Sequence, residues 1–202
     1  MTIIRILAPA TLIALAACSQ APADAPPVTD SEWTLVGEAS ELSYVSIKAG
    51  EIAEINAFES LNGGVTQDGT ASVVIDLSSV STGVDIRNER MRDIFFVVAD
   101  YPTAIVTAQI DPASFEALGV GESTTQTLSG TLSIKEVEAP FETEVMVTRA
   151  GPDRVIAAST DPVIVDAGQL QLTDGLAQLQ ELAGLDSITP VVPVTFTLTF
   201  ER

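Results

Sequence analysis

Histidine is absent from the 202-residue chain, and cysteine occurs once. Without histidine there is no Ser-His-Asp or Cys-His triad, no His-ligated zinc and no His-ligated haem. General acid–base chemistry would have to rest on carboxylates, lysine, tyrosine or arginine. The lone Cys18 has no partner in the chain, so no intrachain disulfide framework exists. Positive charge is scarce: nine Lys and Arg stand against 28 Asp and Glu, a formal net charge of −19. Such an acidic surface repels nucleic acid and anionic lipid and favours solubility, but it selects no partner. No hydrophobic run approaches the about 20 residues that a membrane-spanning helix needs. Nothing in the remaining residues calls for a metal, an organic cofactor or a catalytic role.

The N-terminus reads as an export segment. Arg5 is followed by an uncharged, mostly apolar stretch from Ile6 to Ala17, too short to span a bilayer but suited to a signal peptide over 1–17. Leu15-Ala16-Ala17-Cys18 resembles the bacterial lipoprotein box. That resemblance implies cleavage before Cys18, lipid on its sulfur and acylation of the new N-terminus. More than one chain is needed for a stable anchor, since each buried CH₂ contributes about 0.8 kcal/mol. Ser19 follows, not Asp, which by resemblance to lipoprotein sorting implies the outer membrane, with the domain in the periplasm. The small, proline-rich stretch to Ser31 reads as an extended tether, reaching about 3 Å per residue. The domain proper is expected over 32–202, long enough for one sizeable core.

Within that domain the dominant signal is period-two alternation, the mark of strands with one buried face. Val73, Ile75 and Leu77 alternate with polar residues, as do Leu128, Leu132 and Ile134, with Gly130 in an inward slot. Phe141, Val145 and Val147 alternate with Glu142, Glu144 and Thr148. Val194, Phe196, Leu198 and Phe200 alternate with threonines. Val45 and Ile47 alternate with Tyr44, Ser46 and Lys48. Ala49-Gly50, Asn62-Gly63-Gly64, Asp68-Gly69, Gly119 to Gly121 and Gly151-Pro152-Asp153 read as turns. About nine extended segments result, near 33–37, 42–49, 51–60, 70–78, 103–110, 124–135, 140–149, 153–160 and 191–201.

Two stretches carry helical spacing. Met91, Ile94, Phe95 and Val98 define a short amphipathic helix over Ile86 to Val98, with Asp85 as candidate N-cap. Leu176, Leu179 and Leu182 define a second over Asp174 to Ala183, stopped by Gly184. Long strands in tandem, glycine-containing turns and few helices predict an all-β fold, an antiparallel barrel rather than a short-stranded sandwich.

The order of motifs resembles the YceI-like family. The resemblance begins at Trp33 and Ser43-Tyr44-Val45-Ser46-Ile47-Lys48, and continues through Phe58, Gly63-Gly64 and Val73 to Leu77. Its most specific block runs from Ser79-Val80-Ser81-Thr82-Gly83 through Arg87-Asn88-Glu89-Arg90-Met91-Arg92-Asp93 and Phe95-Phe96 to Tyr101-Pro102. Leu128 to Ile134 and the final strand Val191 to Glu201 complete it. The resemblance implies an extended eight-stranded antiparallel lipocalin-like barrel with one or two short helices and an elongated apolar cavity for a polyisoprenoid chain. Many family members carry a histidine after the Leu-Ser/Thr strand, where this chain has Lys135-Glu136-Val137-Glu138.

Candidates for the lining are Phe58, Val80, Phe95, Phe96, Tyr101, Phe141 and Phe196, since a lipid tail needs a dry apolar tunnel with polar groups at the mouth. The same inward positions also serve a barrel filled by its own side chains. Arg87 and Arg90 are headgroup candidates, and the competing reading is a solvated helix face paired with Glu89 and Asp93. Glu142 and Glu144 share the strand face opposite Phe141 and read as solvent-facing, not as a paired-carboxylate hydrolase site. The expected function is non-enzymatic: sequestration or transport of an isoprenoid-type lipid, a quinone or a polyprenyl species. The alternative is an interaction or stress-response lipoprotein with a side-chain-filled barrel.

Overall fold

A computed structural model describes residues 25–202; Cys18, the expected export segment and the expected tether as far as Asp24 lie outside the described residues. The elements in chain order are β1 (Trp33–Leu35), β2 (Glu41–Lys48), β3 (Ile52–Phe58), β4 (Leu61–Val65), β5 (Thr70–Asp76), β6 (Val80–Ser81), helix α1 (Asp85–Arg90) running into a π-helical turn (Met91–Phe96), β7 (Thr103–Gln109), β8 (Ser123–Ile134), β9 (Val137–Gly151), β10 (Arg154–Ser159), β11 (Val163–Asp166), α2 (Thr173–Ala183) and β12 (Val191–Glu201).

Several of the twelve strands are halves of one path. β1 and β2 lie along the same edge of β12, with Leu35 opposite Phe200 and Phe196 opposite Leu42. β3 and β4 flank β2 and β1 in turn, β5 and β6 flank β4 and β3, and β10 and β11 share the other edge of β12. Joined this way, the strands form eight antiparallel staves, each paired with its sequence neighbours, and β12 closes on the first. This is an up-and-down barrel without a free edge around most of its girth.

One end carries α1, the π-helical turn, α2 and the tight hairpins at 49–51 and 135–136; it is called here the helical end. The opposite end holds both termini of the described chain, the 66–69 turn, the β7–β8 connection and the β9–β10 turn. Gly184, at φ +63°, terminates α2 in the left-handed conformation that glycine adopts without strain.

The sequence expectations need five corrections. Asn62-Gly63-Gly64 is not a turn but the middle of β4. A Cβ on Gly63 would lie 2.0 Å from the Ser72 carbonyl oxygen, and one on Gly64 2.4 Å from that of Trp33. These glycines let neighbouring staves approach, which local sequence reading confuses with a reversal. β6 and β11 are too short to show alternation, and with β4 they raise the nine segments to twelve. Asp85 does not cap α1: Val84 holds the cap position, and Asn88 ties the helix start by accepting from the Thr82 N–H (2.9 Å) and hydroxyl (2.6 Å). Leu182 is half exposed, so α2 seats Leu176 and Leu179 alone.

The fifth correction matters most for function. In β2 the apolar Val45 and Ile47 face outward, while Leu42, Tyr44, Ser46 and Lys48 face the barrel interior; in β3 the inward set is Glu54, Asn56 and Phe58, and Ile55 is 77% exposed. The apolar-in rule fails here because the interior of this end is polar.

Candidate functional site

An elongated cavity of about 700 Å³ runs through the barrel from the helical end toward the β7–β8 connection. Its middle is apolar. Phe58, Phe95, Phe96, Phe141 and Phe196 line it, with Leu128, Leu132, Leu198 and Phe200 from the staves and Leu176 and Leu179 from α2. Gly130 lies opposite Phe141 in the β8–β9 ladder, and the Phe141 ring lies over it, since a Cβ there would be 2.6 Å from the ring. The glycine's missing side chain is what lets the ring lie along the wall.

The π-helical turn places both Phe95 and Phe96 against the cavity. Such turns are frequent at functional sites, and here the two neighbouring rings both line the cavity. Their rings meet edge to face at 4.9 Å, and Phe96 continues to Phe58 at 5.7 Å and Phe58 to Tyr44 at 5.8 Å. α2 covers this turn closely: a Cβ on Gly175 would be 3.3 Å from the Phe95 Cα.

Not every expected lining residue reaches the cavity. Val80 is buried in the core but lies outside the lining. Tyr101 also lies outside it, with the Lys135 ammonium 5.7 Å above its ring. Its place after the helix turns it toward the β8–β9 hairpin. Glu142 and Glu144 are exposed on the outer face.

Arg87 and Arg90 both line the cavity at the helical end. Arg87 Nη1 donates to Glu54 Oε2 at 2.6 Å and Nη2 to the Thr82 carbonyl at 2.5 Å. Lys48 Nζ meets the same Glu54 oxygen at 2.9 Å. These partners hold the Glu54 carboxyl below its ordinary pKa, the hydrogen bond from Lys48 contributing most and Arg87 next after the opposing effect of burial. Arg90 donates to the Leu182 carbonyl at 3.3 Å, tying the end of α1 to the end of α2.

Tyr44, Ser46 and Asn56 also face the cavity and were not singled out from the sequence. Burial pushes the Tyr44 phenol up to about 12, against a smaller opposite pull from Arg87. The signal that could have found them was phase: Leu42, Tyr44, Ser46 and Lys48 are in register with Phe58, Asn56, Glu54 and Ile52, and Leu42 with Phe58 marks the inward set.

Among curated proteins no sequence matches the chain. A solved polyisoprenoid binding domain from Saccharophagus degradans, described as implicated in plant cell wall breakdown, is 38% identical and superposes with a TM-score of 0.81, covering 84% of this chain and 98% of its own. Burkholderia cenocepacia BcnA superposes with a TM-score of 0.61 at 18% identity, covering 82% of this chain and 98% of its own; at that identity the likeness speaks for the fold alone. The model of the YceI-like domain matches residues 33–200, every stave of the barrel from Trp33 to Phe200. With closed barrel, apolar tunnel and family match in agreement, this chain belongs to the YceI-like family.

Proposed function

We propose that the barrel takes up the apolar chain of an isoprenoid-type lipid, a quinone or a polyprenyl species, and sequesters or carries it in the bacterial periplasm. The observation that carries this reading is the apolar cavity of about 700 Å³ inside a closed barrel, within the roughly 300–1,000 Å³ range of ligand sites. Moving a tail into it removes apolar surface from water at about 25 cal/mol per Å². The polyisoprenoid-binding relative at 38% identity supports the same ligand class. A barrel filled by its own side chains would leave no such space, which disfavours the interaction-module alternative. The role is binding rather than catalysis: most ionisable groups of the cavity sit at its helical end, where Glu54 is engaged with Lys48 and Arg87, and at the opposite end Asp111 accepts from the Ala113 N–H.

The experiment is extraction. The chain from Ser19, which contains the whole closed barrel, is expressed in a bacterium and purified without detergent, and a solvent extract is analysed by mass spectrometry. A stoichiometric quinone or polyprenyl species is expected. An empty extract together with no uptake of added prenyl lipid overturns the reading. The lipid anchor at Cys18 and outer-membrane attachment belong to the same proposal: the full chain should incorporate a labelled fatty acid, and Cys18→Ala should abolish it.

A further inference from the structure

The cavity changes chemistry along the β2–β3 ladder. Cross-strand register sets Leu42 against Phe58, Tyr44 against Asn56 and Ser46 against Glu54, and all six side chains line the cavity. Toward the helical end the lining therefore passes from apolar, to polar and uncharged, to charged.

The middle rung is chemically unfinished. Asn56 is only 3% exposed, and its Nδ2 donates to Ser46 Oγ at 3.0 Å and to the Glu54 carbonyl at 3.2 Å. A carbonyl can only accept, so the amide orientation is fixed, and Asn56 Oδ1 is left without a donor among the described residues. Tyr44 Oη has no hydrogen-bond partner there either, and burial keeps the phenol protonated, as a donor. Arg87 spends Nη1 on Glu54 and Nη2 on Thr82, while its Nε is buried with no partner. Polar groups without a partner away from bulk water are costly, and here one acceptor, Asn56 Oδ1, and one donor, Tyr44 Oη, are left open on one rung of a ligand-sized cavity.

We propose that this rung holds the head of the bound lipid, and that the head is uncharged and carries a hydroxyl, as in a prenyl alcohol or a quinol. The proposal rests on the lipid-binding reading above and deepens it. A hydroxyl donates to Asn56 Oδ1 while accepting from Tyr44 Oη. A head with carbonyl oxygens alone leaves Asn56 Oδ1 unmatched. A diphosphate offers only acceptors at neutral pH and brings negative charge against Asn56 Oδ1 and the Glu54 carboxylate. Arg87 and Lys48 already converge on Glu54 at 2.6 and 2.9 Å, and Arg90, the third cation lining this end, donates to the Leu182 carbonyl at 3.3 Å, so an anionic head would have to compete with these partners for all three.

The test titrates the delipidated chain from Ser19 with geranylgeraniol, geranylgeranyl diphosphate and the headless hydrocarbon of the same chain length, each displacing a fluorescent apolar probe. Geranylgeraniol is expected to bind about tenfold tighter than either of the others. Tyr44→Phe and Asn56→Leu should each weaken the alcohol roughly five- to tenfold and leave the hydrocarbon unchanged. Tyr44→Phe removes a single oxygen, so it keeps the test valid if Asn56→Leu does not fold. Equal affinity for alcohol and hydrocarbon, or a preference for the diphosphate, overturns the head site and leaves the carrier reading standing. Failure of all three to displace the probe overturns both.

Discussion

At the end of the barrel opposite the helices, two guanidinium groups hold three stretches of chain together, and this makes a quantitative prediction. Arg149 is buried at 3% exposure. It donates to the carbonyls of Leu118 (3.1 Å), Pro26 (2.5 Å) and Pro152 (3.2 Å). Arg202 donates to two of the same acceptors, Pro26 at 3.3 Å and Pro152 at 2.8 Å, and to Pro27 at 2.9 Å. It also meets Asp153 at 3.1 Å and lies 4.9 Å above the Trp33 ring. Burial and the neighbouring Arg202 charge both pull the Arg149 pKa below its ordinary value.

In Arg149→Met the Pro26 and Pro152 carbonyls keep their Arg202 donors, and the Leu118 carbonyl alone loses its side-chain partner. One buried acceptor left unmatched costs about 1–3 kcal/mol. Arg202→Met forfeits the contact with the Trp33 ring, worth about 1 kcal/mol, its bond to the Pro27 carbonyl, and an ion pair whose Asp153 partner is exposed, worth less. The double variant should cost more than the sum of the two. It strips the last side-chain donor from Pro26 and Pro152, and the relief of Arg149–Arg202 repulsion is gained once rather than twice. We expect an excess of about 1–2 kcal/mol in a double-mutant cycle. Urea unfolding followed by circular dichroism measures it, with equal m-values as the check on two-state behaviour. Additive or sub-additive costs would refute the shared-acceptor argument.

Two further predictions follow from the staves and the cavity mouth. Gly130→Ala puts a Cβ 2.6 Å from the Phe141 ring and 2.8 Å from the Thr107 carbonyl oxygen; the ring can swing into the cavity but the backbone cannot, so a loss of roughly 1–3 kcal/mol is expected in urea unfolding, and no loss would mean that the ring is not held there. Glu54 has a folded pKa below its ordinary 4.5, so its stabilisation is present above about pH 4.5 and is lost as pH falls through the lower folded value. Between pH 5 and 3, wild type should therefore lose more stability than Glu54→Gln, by about 1 kcal/mol or less for a partly exposed pair; parallel curves would remove Glu54 from the ion-paired cluster.

Much of the architecture was legible because a half-buried strand writes its orientation as period two. Val73 and Ile75, Leu128 and Leu132, and Phe196 and Leu198 all face inward as their alternation implied. β2 misled for a physical reason. Its inner face carries Tyr44, Ser46 and Lys48, beside Asn56 and Glu54 of β3, and the apolar Val45 and Ile47 face outward. A rule that assigns the apolar side to the interior is inverted wherever the interior is polar. The helix over Ile86 to Val98 misled more mildly: spacing gave its existence, but the π-helical turn that swings Phe96 toward Phe58 has no local sequence signature.

The sequence alone determined what chemistry was available and what repeated. Lacking histidine and carrying one cysteine, it excluded histidine-based triads and intrachain disulfides. Its alternation demanded antiparallel staves, and its aromatic residues supplied an apolar lining. Tertiary structure alone decided which residues meet, because contact across staves depends on register and closure, which no local pattern encodes. Closure left a cavity of about 700 Å³ rather than a filled core. It set Tyr44 opposite Asn56 beneath Arg87 and turned Tyr101 away toward Lys135. It also drew Arg149 and Arg202, 53 positions apart in sequence, onto the same two carbonyls.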